Sequence, residues 1–343
     1  MNEISISGSI GSVSPDIVAC DKVTAAVCPL GHHSVRLIEQ IEFTELVDAW
    51  RRKFGLTASN LIKAQDSYRQ LDFCECDTCG LSFFDPLVPG DGLFYQSLAK
   101  SQWWGRVDFE TTKPEWEVAL RYIRPGDTVL DVGCGNSSFA HRLPKGCTYV
   151  GIDLNSSQVE RARRAGIDAR LETIQDHAKD NQCGYDAVCL FQVIEHVDDL
   201  QSFISASAAC VKPGGSLIVG CPNSNAFLGI QCDKLMNMPP HHVTWWSKRS
   251  LEYLGRRLDM RIEVVEESEL EKEYVRSFVR ELWMTRLFGS AKRRRFVLSG
   301  MRYRLSEFGA KIMSRLTRSW ISGFEPCIKG HTITAVYRKD CVK

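Results

Sequence analysis

A glycine-rich turn and an acid twenty residues beyond it are the first groups in this chain whose types and spacing could do chemistry. The apolar start of Val129–Asn136 predicts a buried strand that runs into Gly133-Cys134-Gly135. Glycine lets a backbone approach a bound ligand closely. Asp153 ends a second short strand, where a carboxylate suits a bidentate hydrogen bond to two ribose hydroxyls. The pattern therefore predicts a site for a cofactor that contains a nucleoside.

The acid before the first glycine, Asp131, helps to choose the cofactor. A dinucleotide fingerprint requires Gly-x-Gly-x-x-Gly, and Ser138 stands at its third glycine. Asp131 instead suits a cofactor with a positively charged amino-acid end, and S-adenosylmethionine is such a cofactor. The residues that we expect to contact it are Asp131, Gly133, Cys134, Gly135, Asp153, Leu154, Phe191 and Gln192.

Two further stretches, each after a predicted strand, offer groups that could accept a proton. Glu195 and His196 follow one strand, and His241 and His242 follow the next. A histidine titrates near neutral pH, where a general base works best. We predict that His242 accepts the proton with His196 as its partner, and that Glu195 orients one of the two rings. His241 is the rival, because adjacent side chains in an extended turn should point opposite ways.

A Cys-x-x-Cys pair, Cys76 and Cys79, has the spacing at which two thiolates reach one tetrahedral ion. Cys28 with His32 or His33 is the obvious source of the remaining ligands. Nothing marks an open coordination position, so the predicted role is a structural zinc site. Reduced, unligated cysteines are the alternative.

Strands that alternate with helices must position these groups. This alternation predicts an α/β fold with a Rossmann-like, doubly wound, mostly parallel seven-stranded sheet. Ligands bind such sheets at the carboxyl ends of the strands, where the expected cofactor and proton-accepting residues lie. The predicted strands cover residues 128–130, 148–152, 169–171, 185–191, 216–221, 260–266 and 332–338.

The remaining segments surround this core. Phe43–Phe54 has one apolar face and predicts an amphipathic helix. Phe94-Tyr95 and Trp103-Trp104 could form a lid over the site or pack between domains. The predicted organisation is a flexible lead at 1–26, a small zinc-binding domain and aromatic linker at 27–112, a core at 113–270, a basic helical insertion at 271–329, and a last strand with a tail at 330–343.

The insertion carries most of the charge asymmetry of the chain. Lys272–Ser322 holds thirteen Lys or Arg and three Glu, so 13 − 3 gives +10, and Lys292–Arg295 is a basic run within it. Apolar residues recur at helical spacing on both sides of that run. Two interpretations remain open: the segment contacts an anionic membrane surface, or it packs on the core as a helical pair with a solvated basic face.

Composition adds two exclusions. The formal net charge of +1 gives no bulk preference for a charged partner. No run of about 18 apolar residues and no basic-then-apolar N-terminus are found, so no transmembrane helix or secretory signal is expected. Most of the fourteen cysteines stand singly in apolar stretches, as free cysteines of cytosolic proteins do. We expect a cytoplasmic protein that is free or peripherally bound to a membrane.

Together these features resemble a known family. Val129–Asn136 resembles motif I of class I S-adenosylmethionine-dependent methyltransferases, which often have a further glycine at the position of Ser137, and Asp153 resembles the acid of motif II. The cysteine arrangement resembles the N-terminal zinc-binding domain of some bacterial sugar and polysaccharide methyltransferases. These have active-site histidines at the positions of His196 and His242, with an acid at the place of His241. The resemblance implies methyl transfer to a sugar or sugar-linked small molecule.

Two alternatives remain. Ubiquinone-pathway and small-RNA 2′-O-methyltransferases hold a divalent ion with Glu-x-x-Glu-His and a later histidine, whereas Gln192 stands here at the first Glu. Loss of that carboxylate weakens a site for a hard cation and disfavours RNA as a partner. The second alternative is a non-catalytic binding module on the same fold, which the intact Asp131, Asp153 and histidines disfavour.

Overall fold

The computed structural model describes two sheets and a pair of C-terminal helices. The residues that it describes are 26–101, 113–226, 235–272, 274–288, 301–317 and 328–341. Three predicted features lie outside them: the lead at residues 1–25, Trp103-Trp104 and the basic run Lys292–Arg295.

The first sheet is small and antiparallel. The elements before the core are β1 Val35–Glu42, α1 Phe43–Phe54, α2 Ser59–Gln65, β2 Gln70–Cys76, β3 Ser82–Asp85 and α3 Gly92–Lys100. The predicted helix over α1 is confirmed with both of its ends. Its apolar face, including Leu46 and Trp50, is fully buried, and Gly55 ends it in the left-handed conformation that glycine adopts without strain.

The second sheet confirms the predicted seven-stranded, mostly parallel architecture. Its order is β10-β11-β8-β7-β4-β5-β6, with β4 to β8 parallel and β11 antiparallel to both of its neighbours. The order reverses between β4 and β7, which is where such sheets bind ligands. The elements are α4 Pro114–Leu120, β4 Thr128–Val132, β5 Thr148–Asp153, α5 Ser156–Arg164, β6 Ala169–Leu171, α6 Ile174–Asp180, β7 Tyr185–Phe191, α7 Leu200–Cys210, β8 Val211–Pro222, β9 Thr244–Trp245, α8 Lys248–Arg257, β10 Arg261–Glu269 and β11 Lys329–Arg338.

Local capping explains several boundaries. The Asn155 side chain accepts hydrogen bonds from the amides of Ser157 and Gln158 and so begins α5. After the glycine turn, Ser138–Arg142 forms a short 3₁₀-helix. The α7 helix begins at Leu200, because the Asp199 side chain caps it by accepting a hydrogen bond from the amide of Ser202.

A short strand from the core completes the small sheet. Thr244–Trp245 (β9) pairs antiparallel with β3, although it lies within the predicted core at 113–270. Successive residues of a strand face opposite sides. Trp245 accordingly packs against Phe73 in the small domain, and Trp246 is buried in the core of the large one. The boundary predicted at 112/113 therefore does not separate the two sheets.

Two helices of the predicted basic insertion are described. They are α9 Val275–Phe288 and α10 Met301–Thr317, which follow β10 and pack against each other. The first half of α9 covers the end of the large sheet through Val275 and Val279. Among the described residues, no helix is both long enough and apolar enough to cross a membrane.

Candidate functional site

The glycine turn after β4 fixes the position of Asp153. The amides of Gly133 and Cys134 both donate to the carbonyl of Ile152, at 2.8 and 3.1 Å, and so tie the turn to the end of β5. The amide of Gly135 donates to Oδ2 of Asp153 at 2.8 Å. A Cβ added at Gly135 would meet no atom within 4 Å, so open space lies beside the backbone there. The turn thus holds a carboxylate next to a space that a ligand could enter.

Asp131 is the second acid at this edge, and it is buried. Its Oδ2 accepts a hydrogen bond from the Tyr149 hydroxyl at 2.8 Å. Burial raises the pKa of the Asp131 carboxyl to about 7, against the opposing effects of that hydrogen bond and of nearby Lys113. A buried carboxyl of this kind gains from a cationic partner, so it could hold the ammonium of an amino-acid end.

Ser137 has a positive φ of 57°, in the left-handed region that glycine favours. The side chain is fully buried in that strained conformation. Ser137→Gly should therefore raise the free energy of unfolding by about 1 kcal/mol, since left-handed backbone costs an L-residue about that much. Thermal unfolding of the variant checks this. Ser138→Gly is the matched control in the right-handed 3₁₀-helix and should lower stability, and equal losses in both variants would contradict the strain argument.

The side chains of the remaining residues expected to contact the cofactor differ in their exposure to solvent. The side chain of Leu154 is exposed, as an open ligand surface requires. Phe191 is instead a core residue, whose ring stacks edge-on against Phe139 at 4.9 Å. The Cys134 thiol packs against β5, because a Cβ added at Gly151 would lie 2.7 Å from its sulfur. The side chains of Phe191 and Cys134 therefore pack in the core, and contact of these two residues with the cofactor, which could use their backbone, stays a prediction.

Glu115 is a site residue that was not predicted. It lies on α4 with 2% of its surface exposed, and its Oε1 accepts a hydrogen bond from Nε2 of Gln192 at 3.3 Å. Burial raises the pKa of its carboxyl. The available signal was an acid among the apolar residues of that helix, directly after Pro114. Gln192 itself has a positive φ of 54°.

Three histidines meet at the carboxyl ends of β7 and β8. One nitrogen from each of His196, His241 and His242 lies within 4.8 Å of the others. His196 ends the short 3₁₀-helix Ile194–His196, and the other two lie in the turn that leads to β9. The predicted convergence of these groups is confirmed by their geometry.

The expectation that His241 and His242 point opposite ways is wrong. Their ring centroids are 4.4 Å apart, with an angle of 37° between the ring planes. The physical reason is the turn, because the amides of both residues donate to the same carbonyl, that of Met238, at 3.0 and 3.2 Å. Alternation of side chains requires an extended backbone, which this turn is not.

Backbone and tyrosine contacts orient the cluster. His196 Nδ1 contacts the carbonyl oxygen of His241, and it lies 3.0 Å from the hydroxyl of Tyr95. If Nδ1 carries the proton that this carbonyl accepts, Nε2 is the nitrogen with a free lone pair. Burial lowers the pKa of His196 to about 4 and those of His241 and His242 well below the usual range. All three imidazoles are therefore neutral at pH 7, with a lone pair open to a proton, but they are less basic than the near-neutral histidine that the sequence predicts.

Glu195 lies beneath this cluster. Only 1% of its surface is exposed, and neither carboxylate oxygen has a hydrogen-bond partner among the described residues. Nε2 of the neutral His196 lies 3.8 Å from its Oε1. Burial, and to a lesser extent the nearby Glu115, raise the pKa of Glu195 to about 8. The side chain is therefore mainly a neutral carboxylic acid at pH 7.

This raised pKa predicts a pH-dependent stability. Between the ordinary glutamate pKa of 4.5 and the raised pKa of about 8, the folded protein holds a proton on Glu195 that the unfolded chain releases, so stability falls as pH rises. Glu195→Gln should remove this loss, with a gain in unfolding free energy that grows to on the order of 2–5 kcal/mol by pH 8. Denaturant unfolding at several pH values measures it. The exposed Glu117→Gln is the control, and a pH-independent difference for Glu195→Gln would contradict the assignment.

The second cluster confirms that the predicted metal-ligating residues converge. Ligand atoms of Cys28, His32, Cys76 and Cys79 lie within 4.8 Å of one another. The sulfurs of Cys28 and Cys79 are 3.6 Å apart, and His32 Nδ1 is 3.4 Å from Cys76 Sγ. His32 and not His33 is the fourth member, since His33 is exposed. Three sulfurs and one imidazole nitrogen form a closed set that fits tetrahedral zinc.

The core helix α8 contacts this cluster directly. The Tyr253 hydroxyl lies 2.6 Å from His32 Nε2, the ring nitrogen that points away from the sulfurs. Arg249 donates to the carbonyl of Thr78 at 3.2 Å, within the Cys-x-x-Cys turn. A hydrogen bond to the second nitrogen fixes the orientation of a ligating imidazole. The small domain is thereby attached to the large one at the Cys/His cluster.

Comparison with known proteins supplies the family. A family model described as "Methyltransferase domain" matches residues 108–263. Curated proteins named ubiquinone biosynthesis O-methyltransferase are similar: that of Vibrio parahaemolyticus is 32% identical and that of Vibrio vulnificus 35% identical, each over 158 residues that cover 41% of this chain and 67% of the relative. A solved structure of a SAM-dependent methyltransferase from Archaeoglobus fulgidus is 16% identical and covers 65% of this chain and 90% of that one, with a TM-score of 0.44. This chain belongs to the S-adenosylmethionine-dependent methyltransferases.

Proposed function

We propose that this methyltransferase acts on a sugar or a sugar-linked small molecule. The observation that carries the proposal is the joining of two clusters in one chain. The four-residue Cys/His cluster lies in a sheet that β9 completes, and β9 directly follows the histidine turn. This combination resembles the zinc-domain sugar methyltransferases. The family-model match begins at residue 108, after the Cys/His cluster, so that match does not bear on the cluster.

The proposed cofactor site uses the edge formed by β4 and β5. S-adenosylmethionine supplies an activated methyl group, so the protein mainly positions the two reactants. Asp153 would accept hydrogen bonds from the ribose, because each of its oxygens already receives only one backbone amide, from Gly135 or Asn155. Asp131 would pair with the ammonium. The turn from Gly133 to Gly135 would form the wall between them.

The proposed proton acceptor is His242, with His196 as its partner. Both rings are neutral at pH 7 and they lie edge to face, with centroids 4.7 Å apart. Glu195 lies behind His196. A proton gained by the histidine cluster would favour the ionised form of Glu195, and the resulting carboxylate would stabilise the positive charge on the cluster. His241 contributes its carbonyl oxygen, which contacts His196 and accepts a hydrogen bond from Tyr95.

A structural zinc ion is the proposed occupant of the Cys/His cluster. All four ligands come from the small domain, so the ion would stabilise the sheet whose last strand is β9. The expected cofactors are thus S-adenosylmethionine at the large sheet and zinc in the small one.

A transfer screen with labelled S-adenosylmethionine tests the acceptor class. The candidates are nucleotide sugars, lipid-linked glycans, phenolic quinone precursors and small RNA. The proposal expects label in a sugar-containing acceptor. Label found only in a phenol or only in RNA would reject the proposed acceptor class. Such a result would still show that the protein is an active methyltransferase.

Metal-assisted O-methylation is a second candidate. The observation in its favour is the three-histidine cluster, whose nitrogens are close enough to share an ion, and the named relatives are O-methyltransferases. Against it, Gln192 replaces a carboxylate and points to Glu115, and hard cations prefer oxygen ligands. Turnover that requires added Mg²⁺ or Zn²⁺ in protein with a full Cys/His site would favour this candidate.

A further inference from the structure

The C-terminal helix α10 contacts α9 through a face of small residues and leaves its large apolar side chains exposed. Its large apolar side chains are exposed, with exposed fractions between 39% and 74%: Met301, Leu305, Phe308, Ile312 and Leu316. Their spacing of three or four residues places them in one stripe along the helix. A surface helix normally turns such a stripe towards the core.

The opposite face of α10 is made of small residues and is the one that contacts α9. Its buried members are Ser306, Ala310, Ser314 and Thr317. Ala310 packs against Met284, and the Trp283 indole donates to the Thr317 hydroxyl at 2.9 Å. Two residues at the end of α9, Leu282 and Leu287, are also exposed. The pair of helices is therefore fixed internally, while its apolar stripe stays in contact with solvent.

Basic side chains lie next to the stripe. Arg304, Lys311 and Arg315 are exposed and fall on the same side of α10, directly beside Phe308 and Leu305 in a helical projection. One acid is near them, since Glu307 pairs with Lys311 at 2.9 Å. On α9, Arg276 and Arg286 are exposed as well. The described part of the insertion thus combines an apolar stripe with a flanking row of positive charge.

We propose that this face of α10 docks on the surface of an anionic lipid membrane. A helix that lies in the plane of a membrane interface inserts its apolar side chains between the lipids, and its Lys and Arg side chains pair with anionic headgroups. A contiguous apolar patch that is exposed on a soluble protein commonly marks an interaction site.

Two other occupants fit less well. A second copy that met the same face would bring the two rows of positive charge together, which opposes a symmetric contact. A nucleic acid would match the charge but would leave the apolar stripe exposed, since phosphate contacts use Lys and Arg. An anionic lipid membrane would contact both the apolar stripe and the row of basic side chains.

The position of the hairpin gives the docking a consequence for the active site. Tyr274, one residue before α9, stacks on His331 with centroids 5.7 Å apart. His331 in turn is close enough to His242 to lower the pKa of that ring. A docked α10 would therefore hold the histidine cluster near the membrane, where an acceptor carried on a lipid is presented. This consequence rests on the proposed function, but the docking itself does not.

Vesicle flotation of the full chain tests the proposal. Vesicles of phosphatidylglycerol and phosphatidylcholine should float the protein at low salt, and pure phosphatidylcholine should float much less. The double change Leu305→Ser with Phe308→Ser should lower the bound fraction at least about tenfold at fixed lipid, since burial of two large side chains is lost. Arg304→Gln with Arg315→Gln should weaken binding and reduce its salt dependence. Leu171→Ser, at a similarly exposed leucine on β6, is the matched control and should bind as the unchanged protein does.

Three outcomes would overturn the proposal. They are no flotation with anionic vesicles at low salt, equal flotation of the α10 and β6 variants, and a lipid-free dimer in sedimentation that the α10 double change dissociates. All substituted positions are exposed, so unchanged thermal unfolding of each variant shows that the fold is retained. Transfer activity on a soluble acceptor is a separate readout, which distinguishes failure of docking from failure of the proposed function.

Discussion

Replacing His242 by alanine should lower turnover about 10²–10⁴-fold, the usual effect of removing a positioned base. Affinity for S-adenosylmethionine should be nearly unchanged, because the cofactor edge at Asp131 and Asp153 is built from other strands. The physical reason is that His242 offers a neutral imidazole beside His196, at the carboxyl ends of β7 and β8. Steady-state turnover at saturating cofactor, together with calorimetric cofactor affinity, measures both parts.

His241→Ala is the matched control for this change. Its carbonyl oxygen, which contacts Tyr95 and His196, survives the substitution, so we expect a much smaller loss. If His241→Ala lost turnover and His242→Ala kept it, the roles of the two residues would be reversed. If both variants kept turnover, the proton acceptor would lie outside the cluster.

Cys76→Ser should cause the largest loss of structure. Removing one of four ligands should release the proposed zinc and unfold the small sheet, since a structural zinc ion contributes on the order of 10 kcal/mol to folding of its domain in small zinc peptides. Turnover should be lost as well, because β9 pairs with β3 and directly follows the histidine turn. Cofactor binding at the large sheet should be less affected than turnover.

The chain contains a close control for this experiment. Cys74 lies two residues earlier in β2 and is equally buried, but it is not a member of the Cys/His cluster. Cys74→Ser should keep one zinc per chain by elemental analysis, whereas Cys76→Ser should not. Absence of zinc from the unsubstituted protein in elemental analysis would refute the zinc site. Identical unfolding of Cys74→Ser and Cys76→Ser would refute it as well.

The elements that could be predicted from sequence are those with strong local patterns. The α1 helix has an apolar stripe and a terminal glycine, so both of its ends follow from local rules. The order of strands and helices in the large sheet follows from their alternation, and this placed Asp131, Asp153 and the histidines at one edge. The convergence of Cys28 and His32 on Cys76 and Cys79 follows from ligand chemistry.

The features that were missed depend on contacts between distant segments or on a single backbone turn. β9 is two residues long, and its pairing with β3 has no local signal. The shared side of His241 and His242 follows from two amides that bind one carbonyl, which the sequence pattern does not encode. The stripe on α10 could be predicted from apolar residues that recur at helical spacing. The sequence did not show which face of the helix would pack against α9.

The central claim is that S-adenosylmethionine binds at the edge held by Asp153, facing the histidine cluster. Calorimetric titration of S-adenosylmethionine into the unchanged protein and into Asp153→Ala tests it most directly, with the exposed Asp168→Ala as the control. The account predicts one site in the unchanged and control proteins, and at least about 100-fold weaker binding for Asp153→Ala, the loss expected for two hydrogen bonds to a charged group. Equal affinity in all three proteins would contradict it.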